Sequence, residues 1–168
     1  MDDDRAQSRS PPLPVSMTGL AGRRVGIVGL GESGLAMARW LTRDGARVVV
    51  LDSRENPPGA AGLREHCPEA VRLHAPFELS SFSRATASAS APVPGSGDDE
   101  LAAICWSPGL SPFVGDAARL WQQAQTASIA LLGEVDLFAG ALRALAADGY
   151  SPHVLAVTGT NGKTTVTE

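Results

Sequence analysis

The 168-residue sequence contains very little lysine and cysteine. Its only lysine is Lys163, and the other thirteen basic residues are arginines. The two cysteines, Cys67 and Cys105, are 38 positions apart and lack the spacing of metal ligands. Neither a zinc site nor a disulfide framework is therefore expected, and we predict two buried or idle thiols.

The chain also lacks an excess of basic charge and a long apolar run. Its formal net charge is −4, which argues against a nucleic-acid partner bound through bulk electrostatics. No apolar run approaches the length of a membrane span, and Met1-Asp2-Asp3-Asp4 is acidic where a signal peptide is basic. We expect a monomeric, cytoplasmic protein that binds neither nucleic acid nor membrane.

The apolar pattern that is present indicates an α/β fold. Apolar runs at 24–28 and 47–51 flank a stretch at 35–41 with helical spacing, which is typical of a βαβ unit. We predict a Rossmann-like, mostly parallel sheet with flanking helices over residues 18–149. Further strands are expected at 70–73, 101–106 and 129–132, and further helices at 60–67, 112–126 and 134–147.

Two segments are predicted to lie outside this packed unit. Residues 1–17 are polar and proline-containing, which predicts a disordered tail. Residues 80–99 are rich in Ser, Ala, Pro and Gly without apolar periodicity, which predicts a flexible insertion.

The first glycine-rich motif, Gly29-Leu30-Gly31-Glu32-Ser33-Gly34, fits G-x-G-x-x-G between a predicted strand and a predicted helix. Its glycines allow a diphosphate to approach a helix N-terminus closely. Asp52 follows Gly34 by eighteen positions and can accept hydrogen bonds from a ribose or a base. The alternative is that the glycines only pack the strand against the helix. The motif leaves the ligand open, since NAD, FAD and a UDP-sugar all contain a diphosphate.

Ser107-Pro108-Gly109 follows the strand predicted at 101–106. It therefore lies at a carboxyl end of the sheet, the edge where open α/β sheets bind ligands. An ordinary turn is the alternative interpretation, and proximity to the glycine loop favours the binding role.

A second phosphate-binding motif, Val157-Thr158-Gly159-Thr160-Asn161-Gly162-Lys163-Thr164-Thr165, follows the apolar run 154–157. It varies from the usual Walker pattern, because Val157 stands where that pattern has glycine. Lys163 can contact β- and γ-phosphates, and Thr164 can offer its hydroxyl to Mg²⁺. We therefore predict the first strand and P-loop of a truncated ATPase domain over 150–168. The expected ATP-binding residues are Gly159, Thr160, Asn161, Gly162, Lys163, Thr164 and Thr165.

The motifs together resemble the Mur ligases of peptidoglycan synthesis, and among them the D-glutamate-adding member. They run in family order from Gly19 to Glu168. The matching segments are Gly29 to Leu35, Asp52-Ser53-Arg54, Ser107 to Pro112, Gly133 to Phe138 and the P-loop.

This resemblance implies an ATP- and Mg²⁺-dependent ligase of cell-wall biogenesis and cell division. In that family the carboxylate of UDP-N-acetylmuramoyl-L-alanine attacks the γ-phosphate, and the amine of D-glutamate then displaces phosphate from the acyl-phosphate. Lys163 and Thr164 are the implied catalytic residues. The implied UDP-sugar-binding residues are Gly31, Glu32, Ser33, Asp52, Ser53, Arg54, Ser107, Pro108 and Gly109.

The family pattern continues through the rest of an ATPase domain and a third domain that are not in this sequence. No second lysine is present for the modified lysine of the family. We therefore expect a truncated chain without ligase activity of its own. The alternatives are another Mur ligase, a small NAD-binding Rossmann oxidoreductase and a regulatory nucleotide-binding module.

Overall fold

The computed structural model describes residues 18–84 and 100–157, which fold as an α/β unit. The strands are β1 (Arg24–Val28), β2 (Arg47–Asp52), β3 (Val71–His74), β4 (Leu101–Trp106) and β5 (Ala130–Leu132). The helices are α1 (Glu32–Arg43), α2 (Ala60–His66), α3 (Leu79–Arg84), α4 (Gly115–Thr126) and α5 (Glu134–Ala147).

The five strands form one parallel sheet in the order β3-β2-β1-β4-β5. The predicted Rossmann-like parallel sheet is therefore confirmed. The chain moves outward from β1 to β3 and then returns to the other side of β1 as β4. This reversal makes the carboxyl ends of β1 and β4 the switch point, where open α/β sheets form their ligand crevice.

The core lies on both faces of the sheet, which explains why its central strands are continuously apolar. Every residue of β1 is buried, and so is all of β2 after Arg47. Helices α1, α2 and α5 cover one face through Met37, Leu63 and Leu137. Helices α3 and α4 cover the other through Phe82 and Leu120.

The prediction of a flexible insertion over 80–99 is wrong for residues 80–84, because Leu79–Arg84 form helix α3. Phe82 is fully buried, and its ring fills the space above Gly26, where a β-carbon would come within 2.8 Å of the ring. The Arg24 guanidinium also donates a hydrogen bond to the Phe82 carbonyl. These long-range contacts stabilise a serine-rich segment that shows no apolar period. Residues 85–99 and the predicted tail at 1–17 lie outside the described residues.

The strand predicted at 154–157 does not form. Residues 151–157 adopt neither helix nor strand, and Leu155 is 94% exposed. A strand needs a hydrogen-bonded neighbour, and none of the five described strands pairs with this segment. The P-loop residues that follow it, 158–168, lie outside the described part of the chain.

The predicted burial of the thiols is confirmed, because Cys67 and Cys105 are both free and buried. Within residues 18–84 and 100–157, His, Cys, Asp and Glu form no group of three able to hold a metal ion. Among the helices of these described residues, none combines the length and the hydropathy of a membrane span.

Candidate functional site

Two glycines of the first motif are required by packing. Gly29 has a φ of 88°, and a β-carbon there would come within 2.8 Å of the Leu110 side chain. A β-carbon at Gly34 would come within 2.0 Å of the Gly29 carbonyl oxygen. At Gly29 and Gly34 the glycines therefore serve packing, because the absence of a side chain lets α1 start directly against the end of β1.

Gly31 differs, because it faces open space. A β-carbon there would meet nothing within 4 Å. Gly31 caps α1 in an extended conformation, and no side chain provides a capping hydrogen bond. The amides of the first turn, including Glu32 and Ser33, have no intrahelical acceptor. The loop thus offers free space beside a helix N-terminus, which is the arrangement that binds phosphate groups.

Asp52 is buried at the end of β2, and its carboxylate is fully hydrogen-bonded within the protein. Oδ2 accepts from the Leu30 amide and from Arg54 Nη2, both at 2.7 Å. Oδ1 accepts from the Arg54 amide and from Arg54 Nε, both at 2.9 Å. These four donors use the four lone-pair sites of a carboxylate. A ligand that contacted Asp52 directly would have to displace one of them.

The same contacts keep Asp52 ionised. Burial alone would raise the pKa of Asp52, but hydrogen bonds from the Arg54 side chain and from the Leu30 and Arg54 amides together hold it below its ordinary value. The carboxylate thus connects the glycine loop, through Leu30, to the turn that carries Arg54. The sequence suggested a ligand-facing acid, whereas the structure shows an anchoring acid.

Arg54 and Ser53 lie in the exposed turn after β2. The Arg54 side chain is 53% exposed while its Nε and Nη2 bind Asp52. Its Nη1 has no hydrogen-bond partner among the described residues, so it can donate to a ligand. Ser53 is exposed beside it. The two residues therefore present polar groups at the same sheet edge as Gly31.

Ser107 braces the glycine loop from the neighbouring strand. Its hydroxyl donates to the Gly29 carbonyl at 2.9 Å, and its amide donates to the Val28 carbonyl at 3.1 Å. Ser107 is buried, whereas Pro108 and Gly109 are exposed beyond it. The predicted Ser107-Pro108-Gly109 turn thus lies beside the loop, and its two exposed residues border the crevice.

One contribution to the loop was missed from the sequence, and it comes from Gly59, just before α2. The Gly59 amide donates to the Leu30 carbonyl at 3.0 Å. A β-carbon at Gly59 would lie 3.1 Å from the Leu30 side chain. Glycine after two prolines was the available signal for this close approach.

An open depression of about 440 Å³ lies elsewhere, along α4. No predicted site residue lines it. Its lining residues are Leu79, Arg119, Gln122, Gln123, Thr126 and Ala127.

The fold is that of a Rossmann-like α/β domain, with an open glycine loop at the switch point of its sheet. Residues 23–91 match the model of the "Mur ligase MurD-like, N-terminal domain". Residues 23–91 are therefore similar to a MurD-like N-terminal domain, and the predicted resemblance to Mur ligases is confirmed.

Curated relatives extend the match beyond this domain. The chain is 44% identical over 149 residues to UDP-N-acetylmuramoylalanine--D-glutamate ligase of Ralstonia nicotianae, covering 88% of this chain and 27% of that enzyme. The same enzyme of Burkholderia thailandensis is 45% identical over 141 residues, covering 84% of this chain and 25% of the enzyme. The chain thus spans about a quarter of the length of these ligases.

A solved structure, shikimate dehydrogenase from Aquifex aeolicus, aligns with a TM-score of 0.42 at 14% identity. The alignment covers 77% of this chain and 51% of that chain. This likeness is too distant to bear on function.

Proposed function

We propose that the chain is the UDP-binding, N-terminal part of an ATP-dependent ligase that adds D-glutamate to UDP-N-acetylmuramoyl-L-alanine. The observation that carries the proposal is the open glycine loop at the switch point, in a chain 44% identical over 149 residues to such a ligase. The product of that reaction is a peptidoglycan precursor.

In this proposal the diphosphate binds at Gly31, Glu32 and Ser33. The open space at Gly31 lets phosphate oxygens approach the amides of the first turn of α1. The positive end of the helix dipole lies at the same point and favours an anion. Glu32 is exposed, so its carboxylate can turn toward solvent and away from the phosphates.

The uridine is proposed to lie over the turn after β2. Ser53 and Arg54 offer polar contacts there, and Asp52 holds the Arg54 guanidinium in place. Pro108 and Gly109 border the opposite side of the crevice, where Ser107 fixes their turn to Gly29. Asp52 and Ser107 thus support the site, whereas Ser53 and Arg54 meet the ligand.

The ATP site is proposed from sequence alone. Lys163 would contact the β- and γ-phosphates and Thr164 would bind Mg²⁺, with Gly159, Thr160, Asn161, Gly162 and Thr165 around the phosphates. Bound MgATP supplies the phosphoryl group that activates the substrate carboxylate. We further propose a monomeric protein of the cytoplasm.

Calorimetric titration with UDP and with NAD tests the UDP-binding proposal. We expect UDP to bind and NAD to bind more weakly. Tight NAD binding without UDP binding would instead support the oxidoreductase alternative and overturn the proposal.

A pair of capping glycines supplies a matched control for this titration. Gly31→Ala puts a methyl group into the proposed diphosphate space, so UDP affinity should fall roughly tenfold, equivalent to about one hydrogen bond. Gly133→Ala changes the extended capping residue of α5 in the same way. It should leave UDP affinity unchanged, and equal losses in the two variants would contradict diphosphate binding at α1.

A further inference from the structure

Two side chains of β3, Arg72 and His74, bind the backbone of the turn after β2. Arg72 Nη1 donates to the Glu55 carbonyl at 2.9 Å. His74 Nε2 lies 3.2 Å from the Ser53 carbonyl. Because a carbonyl oxygen only accepts, this ring nitrogen is the donor. Neither residue belongs to the site described above.

The sheet register explains why both side chains reach this turn. β3 pairs with β2 in parallel, with Val50 opposite Arg72 and Asp52 opposite His74. Alternate strand residues face the same side. The alternating residues of β3, Val71 and Leu73, pack against the core on the α3 and α4 side. Arg72 and His74 therefore lie on the other face, together with Asp52.

These bonds leave three consecutive residues of the turn fixed by side chains. The Ser53 carbonyl is held by His74, the Arg54 amide by Asp52, and the Glu55 carbonyl by Arg72. Two of these three hydrogen bonds come from β3, outside the connection between β2 and α2. Fixing a binding loop before the ligand arrives lowers the entropic cost of binding.

We propose that Arg72 and His74 are positioning residues that set the selectivity of this site for the base and ribose of a nucleoside diphosphate. They fix the backbone of Ser53 to Glu55 by hydrogen bonds, whereas the glycine loop binds the diphosphate. This inference rests on the proposed UDP-binding function. It predicts that loss of either donor changes discrimination between nucleotides that share a diphosphate.

The test compares UDP with ADP by calorimetry on the 168-residue chain. In His74→Leu and in Arg72→Leu, UDP affinity should fall by about three- to tenfold, the effect of one lost hydrogen bond. ADP affinity should change less, so the preference for UDP over ADP shrinks. His74→Gln and Arg72→Lys keep a donor and should retain most of that preference.

Matched controls come from helix α2. His66→Leu and Arg64→Leu remove the same side-chain types from exposed positions away from the turn. Both controls should keep the affinity and the preference of the native chain. Urea unfolding of each variant verifies that the fold is retained. If a leucine variant unfolds, His74→Gln and Arg72→Lys are compared with the native chain instead.

The outcomes separate the two proposals. A native chain that binds no UDP overturns the proposed function. A native chain that binds UDP without preference over ADP overturns the selectivity role but leaves diphosphate binding intact. Equal losses of UDP and ADP affinity in His74→Leu, an unchanged preference in both leucine variants, or a preference lost in the donor-keeping variants would also overturn the inference.

Discussion

Replacing Gly34 by alanine gives two opposite expectations, and the structure decides between them. Gly34 lies inside α1, where alanine is a better helix former by about 1 kcal/mol. Its β-carbon, however, would lie 2.0 Å from the Gly29 carbonyl oxygen and 3.1 Å from Ser107 Oγ. The obstacle is backbone, so it cannot turn aside as a flexible side chain would.

The steric effect should outweigh the helix propensity. To relieve the contact, α1 must move away from the end of β1 by about 1 Å or more, and overpacking of this kind costs about 1–3 kcal/mol. The shift also disturbs the buried hydrogen bond from Ser107 to Gly29, which contributes about 1 kcal/mol. We therefore expect Gly34→Ala to lower the free energy of unfolding by about 1–3 kcal/mol after the helix gain is subtracted.

Urea unfolding followed by tryptophan fluorescence and circular dichroism measures this change, with Gly133→Ala as the comparison. A β-carbon at Gly133 makes only an ordinary contact of 3.4 Å, with Asp136 Oδ2, so its cost should be limited to the loss of a good capping residue. A Gly34→Ala chain as stable as the native chain, or more stable, would refute the assignment of Gly34 to close packing.

Three further predictions concern buried groups. Asp52→Asn should cost about 1–3 kcal/mol at neutral pH, since it weakens hydrogen bonds to a charged group. Because the folded-state pKa of Asp52 is lowered from 3.8, this stabilisation is present above that value and is lost as the pH falls below it. Urea unfolding at several pH values should therefore show the difference shrinking in acid, and a constant difference would contradict the anchoring role. Ser107→Ala should lower the free energy of unfolding by about 1 kcal/mol and weaken UDP binding in calorimetry. An unchanged stability and an unchanged UDP affinity would show that the Ser107 hydrogen bond to Gly29 does not support the loop. Burial raises the pKa of Cys105 to about 12 and also raises the pKa of Cys67, so a thiol reagent at about pH 8 should label both only after unfolding. Rapid labelling of the native chain would contradict this.

The βαβ start of the fold could be predicted because its signals are local. Strands buried on both faces are continuously apolar, and β1 and β2 show this over 24–28 and 47–51. The glycine motif between β1 and α1 indicated both a tight connection and an open approach. The structure assigns these properties to different glycines, with Gly29 and Gly34 packed and Gly31 open.

Features set by long-range contacts could not be predicted. Helix α3 depends on Phe82 filling the space over Gly26, which no local period reveals. Asp52 anchors the protein's own backbone because the Leu30 amide, from the glycine loop, donates a hydrogen bond to its carboxylate. Likewise, Arg72 and His74 act on the turn after β2 only because β3 pairs with β2 in this register.

The central claim is that UDP binds at the glycine loop and at the turn after β2. Amide chemical shifts of the isotope-labelled chain, followed by NMR during a UDP titration, test it most directly. We predict that the largest shifts occur at Gly31, Glu32, Ser33 and Arg54, with smaller shifts on titration with NAD. Saturable UDP binding that leaves these four amides unshifted, or no binding at all, would contradict the account.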